Sequence, residues 1–492
     1  MTAWPKYPVI YEINTWVWLD ELGRKYKRPI HLGTIPEEEW DRMESFGVDS
    51  VWFMGVWERS PAGIEISMRN EGLVKDFKRA LPDFSTADNV GSPYCVRRYV
   101  VDEHLGGPSG LACARGMLNQ RGMRLILDFV PNHVAPDHPW VADHPEYFVQ
   151  GSADPFRNDP ASFVQIGERA FALGRDPFFP PWPDVLQLNA FQPGLRQAVI
   201  ETISEIAEQS DGIRCDMAML MLNAVFHRTW GTLAGVQPFG DYWATTIPVI
   251  KRKYPNFRFF AEAYWDLEWE LQQQGFDHCY DKKLYDRMEQ GDVENVRLHL
   301  LADPTYQQKM VRFIENHDEP RAAATFPPGK ARAAAVAILT LPGARLLHEG
   351  QFEGRKVRLP VFLGRRPNEP IDGDLVAFYE RLLNATESDV FRNGQWRLCE
   401  RSGWPDNQSG MNLLCWCWNK DDERYLVVIN FRQDAAQARV HLLWDELRGN
   451  QWRLEDVLSG ALYDRNGSEM RDSGLYVDLK PWECQFFRMY VL

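Results

Sequence analysis

The chain has 492 residues and a formal net charge of -14, from 69 acidic and 55 basic side chains. Hydrophobic residues make up 45% and charged residues 25% of the chain, which excludes a disordered or collagen-like protein. The acidic balance argues against nucleic acid or a membrane surface as the main partner, because both need a basic protein face. At roughly 150 residues per domain, this length predicts three domains, or one large barrel with an appendage.

Cysteine usage and the N-terminal sequence indicate a reduced compartment. Eight cysteines are too few and too scattered for a disulfide framework, and no C-x-x-C pair suggests zinc or redox chemistry. The N-terminus lacks a basic segment leading into an apolar one, and no apolar run reaches the ~18 residues of a membrane span. We therefore predict a cytoplasmic protein without a signal peptide, and the sequence gives no indication of its oligomeric state.

From residue 10 to about residue 386, short β-rich runs alternate with helical patterns such as Gly194–Ser210. Strand-then-helix repetition predicts a parallel sheet, because each parallel pair needs a crossover. Eight repeats predict a closed (β/α)8 TIM barrel; a doubly wound sheet is the alternative, but we find no Gly-rich phosphate turn. The predicted strands are Val9–Trp16, Ser50–Trp57, Arg124–Val130, Gly212–Ala218, Phe257–Tyr264, His278–Leu284, Lys309–Asp318 and Ala344–Gln351.

The barrel pattern is interrupted once and then replaced. The longest insertion follows the third strand, is rich in Pro, Asp and aromatic residues, and has little period of its own; loops of that length are usually functional. After about Asp389, short β-rich segments separated by turns, with no helix between them, predict an antiparallel β-sandwich. The predicted domains are a barrel formed by 1–133 and 192–388, an inserted loop domain at 134–191, and a C-terminal β-sandwich at 389–492.

Ionisable residues follow four of the predicted strands. In barrels of this kind, catalytic groups lie where the strands end, and Asp216, Glu262 and Asp318 would face one mouth. Any one of these acids alone is better explained as a helix cap or a solvated carboxylate. Their joint placement at strand ends, with Arg and His interleaved, favours catalysis instead.

This set of residues suits the cleavage of a glycoside, which needs one ionised and one protonated carboxyl group. Arg214 lies two residues before Asp216 on the same strand face, and we expect the guanidinium to lower the pKa of that carboxyl, as a nucleophile requires. Glu262 has aromatic neighbours on its own strand face and Trp265 close by. Such surroundings favour the protonated form that a general acid needs.

Four short motifs stand in order along the chain: DFVPNH (Asp128–His133), GIRCDMAM (Gly212–Met219), FAEAYW (Phe260–Trp265) and FIENHD (Phe313–Asp318). They make the chain similar to the α-amylase family, glycoside hydrolase family 13, across its whole length. Each motif alone is weak, but four in order at barrel spacing are specific. A fifth, weaker match is Gly91–Tyr94, and the tail LKPWECQFF resembles the closing strands of the family's C-terminal β-sandwich.

The resemblance implies a role for each matching residue. Asp216 corresponds to the nucleophile, Glu262 to the general acid/base, and Asp318 to the carboxylate that stabilises the oxocarbenium-like transition state. The residues implied in substrate binding are Tyr94, Asp128, His133, Arg214, Trp265 and His317. For His133 and His317, the alternative is a buried core histidine whose hydrogen bonds are satisfied.

Two positions depart from the family pattern. Many members carry Lys and His three and four residues after the nucleophile, for the acceptor subsite and a structural calcium, whereas this chain has Met219 and Leu220. Calcium needs oxygen ligands, which the side chains of Met219 and Leu220 do not offer, so we expect no cofactor. Asn132 matches another calcium position of the family and could be a ligand, so bound calcium is the alternative. The apolar run from Cys215 to Met221 predicts an apolar acceptor side, which favours small glucosides or sugar transfer over hydrolysis of long starch.

We therefore expect a retaining α-glycoside hydrolase that acts on α-glucosides or α-glucan oligosaccharides through a covalent intermediate. A transglycosylase or a phosphorylase is the alternative, because water and other acceptors compete at the same step. A barrel that has lost activity and serves as a binding or partner module is a third reading, which the complete carboxylate triad disfavours. A basic cluster is expected to be a solvated face rather than a phosphate site: Arg345, Arg355, Lys356, Arg358, Arg365 and Arg366.

Overall fold

Eight short and almost wholly buried segments form the central sheet of the computed structural model, which describes residues 4–151 and 159–492. The strands are β1 (Val9–Asn14), β2 (Ser50–Met54), β3 (Arg124–Phe129), β4 (Gly212–Cys215), β5 (Arg258–Ala261), β6 (His278–Tyr280), β7 (Met310–Arg312) and β8 (Ala344–His348). They pair in parallel and close on themselves in the order β1-β8-β7-β6-β5-β4-β3-β2. The predicted (β/α)8 barrel is confirmed.

The barrel strands are buried on both faces because helices cover the outside of the sheet. The helix Pro193–Gln209 shows how the sequence specifies this cover: Pro193 begins it, and Leu195, Val199 and Ile203 are buried at helical spacing. Other α-helices that precede the C-terminal sheets are Thr15–Tyr26, Glu37–Ser45, Pro61–Arg69, Glu71–Ala80, Gly107–Gln120, Trp140–Asp143, Asn223–Trp230, Tyr242–Lys253, Glu268–Gln273, Lys282–Gln290, Val293–Leu300, Pro304–Gln308, Ala322–Thr325, Pro328–Thr340, Gly373–Ala385 and Val390–Asn393. None of the helices in the described ranges combines the length and apolar composition needed to cross a bilayer.

The segment after β3 carries a small antiparallel sheet, although its sequence shows little strand period. A separate two-stranded antiparallel sheet, Trp57–Arg59 with Val96–Val101, was not predicted from the sequence. Residues 152–158 of the predicted insertion lie outside the described residues. The strands of the inserted sheet are His133–Val134, Gln150–Gly151, Phe163–Ile166, Arg169–Gly174 and Trp182–Gln187.

Two antiparallel sheets enclose a separate apolar core at the C-terminal end, as predicted. The prediction that no helix intervenes is wrong, because Gly467–Ser473 forms a short helix capped by the Asn466 side chain. One sheet contains Gln395–Leu398, Leu413–Lys420, Glu423–Asn430, Cys484–Val491, Gln451–Asp456 and Leu462–Asn466; the other contains Glu400–Ser402, Ala436–His441 and Leu475–Leu479.

The C-terminal sheets are fixed to the barrel by tryptophans. The Nε1–H of Trp418 donates to the carbonyl oxygen of Thr340 at 2.6 Å, and that of Trp416 lies 3.2 Å from the hydroxyl oxygen of Thr340. Both indoles are fully buried, so this contact combines apolar burial with satisfied polar groups. The helix Pro328–Thr340, between β7 and β8, is therefore supported on its outer side.

Candidate active site

The parallel register brings the predicted site residues to one end of the barrel. Asp128 in β3 lies directly beside Arg214 in β4. Asp216 and Glu262 each come immediately after the last residue of β4 and β5. Because parallel strands end on the same side, these groups share the mouth where barrel active sites lie.

Arg214 is the centre of a first network of charged groups. Its Nη1 donates to Asp216 Oδ1 at 2.7 Å, and its Nη2 donates to Glu262 Oε2 at 2.7 Å. Asp128 Oδ1 lies 3.6 Å from Nη1. The guanidinium is 1% exposed, and a desolvated arginine of this kind holds two carboxylates in fixed positions.

Glu262 has a more polar environment than the aromatic sequence around it predicts. Besides Arg214, the backbone N–H of Met217 donates to Glu262 Oε2 at 2.7 Å, and the Tyr264 hydroxyl donates to Oε1 at 2.7 Å. Met217 adopts a left-handed conformation with φ of 43°. Such conformations are costly for a residue other than glycine and cluster at functional sites.

A second network surrounds His317, beyond the end of β7. Its Nε2 lies 2.6 Å from the Tyr94 hydroxyl and 2.9 Å from Asp318 Oδ2, and its Nδ1 lies 2.5 Å from Glu12 Oε1. The Tyr94 ring also faces the guanidinium of Arg214, 5.1 Å from the ring centre. Tyr94 therefore joins the two networks.

The expected effect of Arg214 on Asp216 is present but is outweighed. Burial raises the pKa of Asp216, Arg214 acts to lower it, and the nearby charges of Glu262 and Asp318 raise it further, so that the net direction is upward. The prediction of a lowered pKa is wrong for this reason. A single guanidinium shared among three buried carboxylates cannot offset their desolvation and mutual repulsion.

The opposite holds at His317 and Asp318. Burial acts to lower the pKa of His317, but the carboxylates of Asp318 and Glu12 outweigh it and raise this pKa to about 10. Burial acts to raise the pKa of Asp318, and the positive charge of His317 outweighs it, so that this pKa is lowered. The pair is therefore an imidazolium and a carboxylate at neutral pH, and the Asp318 side chain is 40% exposed to the mouth.

Two predicted substrate-binding residues lie at the margin of these networks. His133 is buried beside the backbone of Tyr94, with its ring 5.2 Å from that of Trp182, and burial lowers its pKa to about 4. The ring of Trp265 packs edge-on against Phe178 of the inserted segment at 4.8 Å. The structure thus gathers the predicted carboxylates, Arg214, Tyr94 and His317 closely.

The residues at the family's calcium positions do not suit calcium. The Asn132 side-chain oxygen accepts a hydrogen bond from Gln187 Nε2 at 2.8 Å, so the amide serves the inserted segment. Met219 and Leu220 are 0% and 2% exposed and offer no side-chain oxygen. Because both side chains pack in the core, the prediction that this run makes the acceptor side apolar is wrong. Within the run, Asp216 and Met217 are the residues that contact the charged groups of the mouth.

Glu12 is a site residue that the sequence reasoning missed. It lies in the middle of the buried strand VIYEIN, is 0% exposed and contacts His317. A lone carboxylate within an otherwise apolar strand is costly unless it is paired. That pattern was the available signal for a functional partner.

Comparison with known proteins is consistent with this geometry. No protein-family model matches the chain. The chain is 25% identical over 367 residues to the α-amylase MalA of Haloarcula japonica, which covers 72% of this chain and 45% of that protein. It is 25% identical over 236 residues to the trehalose synthase/amylase TreS of Mycobacterium tuberculosis, covering 44% of this chain and 33% of that one.

The fold extends the likeness along the full chain. The α-amylase of Geobacillus thermoleovorans, solved in complex with acarbose, superposes with a TM-score of 0.69 at 15% identity, covering 100% of this chain and 99% of that one. At that identity the match concerns the fold. The chain spans about half the length of the first curated relative, MalA. Motifs, barrel topology and these relatives together confirm that the chain resembles the α-amylase family, glycoside hydrolase family 13.

Proposed function

We propose that the protein is a retaining α-glycoside hydrolase acting on α-glucosides or α-glucan oligosaccharides. The observation that carries this proposal is the bridge that Arg214 makes between Asp216 and Glu262, opposite the ion pair of His317 and Asp318. Two carboxyl groups held by one cation at a barrel mouth are the machinery that a double displacement needs. The acarbose complex of the Geobacillus relative supports an oligosaccharide as the bound substrate class.

In the first step, the Asp216 carboxylate attacks the anomeric carbon while the protonated Glu262 carboxyl gives its proton to the leaving oxygen. The bond from the anomeric carbon to that oxygen breaks, and a bond to Asp216 forms. In the second step, Glu262 removes a proton from water, which attacks the same carbon and releases Asp216. Each of the two steps inverts the configuration at the anomeric carbon, so the α-configuration is retained overall.

The second network suits the sugar at the point of cleavage. His317 as an imidazolium and Asp318 as a carboxylate can donate to and accept from neighbouring hydroxyl groups. The negative charge of Asp318 also opposes the positive charge that develops at the anomeric carbon. Asp128, His133 and Tyr94 complete the wall around this position, and Tyr94 offers a ring face to the sugar.

Transfer to another sugar is the second candidate function. The ring of Phe178, which is 59% accessible, packs on Trp265, and Trp265 lies three residues after Glu262 in the chain. An aromatic surface there would bind a sugar acceptor and favour it over water. The likeness to TreS, a trehalose synthase/amylase, supports sugar transfer. With phosphate instead of a sugar as the acceptor, the same second step would make the enzyme a phosphorylase.

The proposed chemistry requires no metal or other cofactor, since side chains supply both the nucleophile, Asp216, and the group that gives and takes the proton, Glu262. A cytoplasmic location and a retaining mechanism are also proposals. The eight cysteines, all free thiols, support the location.

Product analysis by NMR tests the proposal. The purified protein is incubated with maltose, maltooligosaccharides, sucrose and trehalose, with and without phosphate, beside an Asp216→Asn control. We expect α-configured sugar or new α-linked oligosaccharides with the wild type alone. Binding of these sugars without turnover by the folded wild type would contradict the proposal and favour a carbohydrate-binding module.

A further inference from the structure

Glu12 is a buried acid of the barrel mouth to which the proposed reaction gives no role. It lies within β1 and is 0% exposed, and a buried carboxylate is costly unless it is paired. Its Oε1 lies 2.5 Å from His317 Nδ1, whereas its Oε2 is buried without a hydrogen-bond partner in residues 4–151 and 159–492. Any effect of this carboxylate on the reaction therefore passes through His317.

Contacts on several sides fix the ring of His317. Nδ1 faces Glu12, and Nε2, on the other side of the ring, faces Asp318 Oδ2 at 2.9 Å and the Tyr94 hydroxyl at 2.6 Å. Trp52, the residue beside Glu12 in the pairing of β1 with β2, packs perpendicular to the ring at 5.5 Å. The partner of one imidazole nitrogen decides which nitrogen carries the proton. Glu12 is thus placed to control the Nε2 that points to the mouth.

His133 shows how a buried imidazole near the mouth behaves without a carboxylate partner. Both histidines are 5% exposed. Burial lowers the pKa of His133 to about 4, whereas the pKa of His317 is raised to about 10 because Asp318 and Glu12 outweigh burial. The Nδ1 of His133 lies 3.2 Å from the neutral side-chain amide of Asn132. The carboxylates, and not the degree of burial, therefore decide the charge of His317.

The two carboxylates beside His317 differ in their access to substrate. The Asp318 side chain is 40% exposed, so its oxygens can accept from the hydroxyl groups of a bound sugar, whereas Glu12 is sealed in the barrel. His348, beside Glu12 in β8, faces Glu315 at 3.2 Å. Glu12 is thus the carboxylate that stays with the ring when the mouth is occupied. The other titratable or charged groups that face the ring or Asp318 are Tyr94, Asp128, Arg214 and Arg358.

We propose that Glu12 is a positioning residue of the reaction, which keeps His317 a charged donor with its Nε2–H directed at the sugar while the sugar engages Asp318. A charged donor forms stronger hydrogen bonds than a neutral one, and its positive charge keeps Asp318 ionised. The place of the sugar rests on the proposed glycosidase function. The pair of Glu12 and His317 rests on the contacts described above.

Nitrogen NMR of the full chain labelled with ¹⁵N-histidine tests the pair directly, with a His317→Gln spectrum to assign the signals. We expect both ring nitrogens of His317 to carry protons at pH 8 in the wild type. In Glu12→Gln the side chain keeps its shape but has no charge, and we expect a neutral His317 ring at pH 8. A neutral His317 in the wild type at pH 8, or a charged one in Glu12→Gln, would overturn the inference.

The pH profile of kcat/KM tests the role in the reaction, with the best glycoside from the NMR screen. Glu12→Gln should resemble the wild type at pH 6, where His317 is protonated in both, and should lose about 10-fold at pH 8.5, where a neutral donor replaces a charged one. Glu12→Asp keeps the charge and should retain more of the activity at pH 8.5. The same loss at both pH values in both variants would show a merely structural role.

Asp281→Asn is the matched control, because Asp281 is also a fully buried carboxylate beside a histidine. It lies 2.9 Å from His299 Nε2, and its other side-chain partners in the described ranges are Arg312 and the backbone of Leu284. This variant should lose stability but keep the His317 signals and the pH profile of the wild type. A profile shifted as far as that of Glu12→Gln would overturn the inference.

The two measurements separate this inference from the proposed function. The NMR titration needs no turnover, so an inactive wild type with a charged His317 would contradict the glycosidase and leave the pair of Glu12 and His317 supported. Normal activity of Glu12→Gln at pH 8.5, with a neutral His317, would overturn the positioning role and leave the glycosidase in place.

Discussion

On the β4–β5 side of the barrel mouth, Asp128, Asp216 and Glu262 share the single guanidinium of Arg214, whereas on the β7 side one imidazole lies between Glu12 and Asp318. The first set is almost fully buried, and its Asp216 has a raised pKa. In the second set the Asp318 side chain is 40% exposed and its pKa is lowered.

The difference shows that position at a strand end does not fix the charge of a carboxyl group. The ratio of acids to bases and the access of water decide it. On the β4–β5 side, burial and the surplus of carboxylates raise the pKa of Asp216, so the proposed nucleophile becomes ionised only at a higher pH than a free aspartate. On the β7 side, the ion pair is permanent and suits binding and transition-state stabilisation.

The largest expected effect comes from removing the proposed nucleophile. Asp216→Asn keeps the shape of the side chain but cannot attack, and we expect kcat/KM to fall by at least about 10⁴-fold. Initial rates with the best glycoside from the NMR screen measure this loss, and circular dichroism checks the fold. A loss below about 10-fold would mean that another group carries the covalent step.

Glu262→Gln should have a smaller effect that depends on the leaving group. General acid catalysis contributes roughly 10²–10⁴-fold, so we expect a loss of that size with maltose and a much smaller one with a glucosyl fluoride, whose leaving group needs little protonation. Steady-state rates with both substrates make the comparison. Equal losses with both substrates would show that Glu262 does not protonate the leaving group.

Arg214→Met tests the shared guanidinium. Removing the cation leaves buried carboxylates uncompensated, and we expect the free energy of unfolding to fall by about 3–5 kcal/mol. Arg214 acts to lower the pKa of Asp216, so its loss should raise that pKa further and move the limb on which kcat/KM increases to higher pH.

Arg345→Met is the matched control for that experiment. Arg345 is also a fully buried arginine on a barrel strand, but it donates to the carbonyl oxygen of Phe391, away from the mouth. This variant should lose stability in urea unfolding without a change in the pH profile. A shift of the profile in both variants would show that the effect is one of general destabilisation.

The sequence located all eight barrel strands because each is a short apolar run between turns or helices. It placed the seventh strand at Lys309–Asp318, whereas the strand ends at Arg312. Phe313 to Asp318 leave the sheet so that Asn316, His317 and Asp318 can reach the mouth. The two-stranded sheet of Trp57–Arg59 and Val96–Val101 was missed because its strands are far apart in sequence.

The chemical residues could be predicted from motifs, but their charge states could not. The raised pKa of Asp216 results from burial and from the nearby charges of Glu262 and Asp318. These carboxylates come from other segments of the chain, and no local pattern shows that crowding. Glu12 has a local signal, as a lone carboxylate in an apolar strand, but its partner His317 appears only when β1 meets the segment after β7. Likewise, the prediction of a solvated face is wrong for Arg355 and Arg366, whose side chains are 11% and 5% exposed and pair with Glu21 and Glu349.

The smallest expected effect concerns the pH dependence of stability on the β7 side. The pKa of His317 is raised from 6.5 to about 10 in the folded chain, so its contribution to stability is fully present below pH 6.5 and is lost as the pH rises through about 10. His317→Gln should therefore cost on the order of 2 kcal/mol at pH 6 and much less at pH 10. Urea unfolding at both pH values measures the difference.

His133→Gln is the control, because burial lowers the pKa of His133 to about 4 and keeps it neutral across this range. If the cost of His317→Gln were the same at both pH values, the imidazolium between Glu12 and Asp318 would be ruled out, and with it the contrast between the two sides of the mouth.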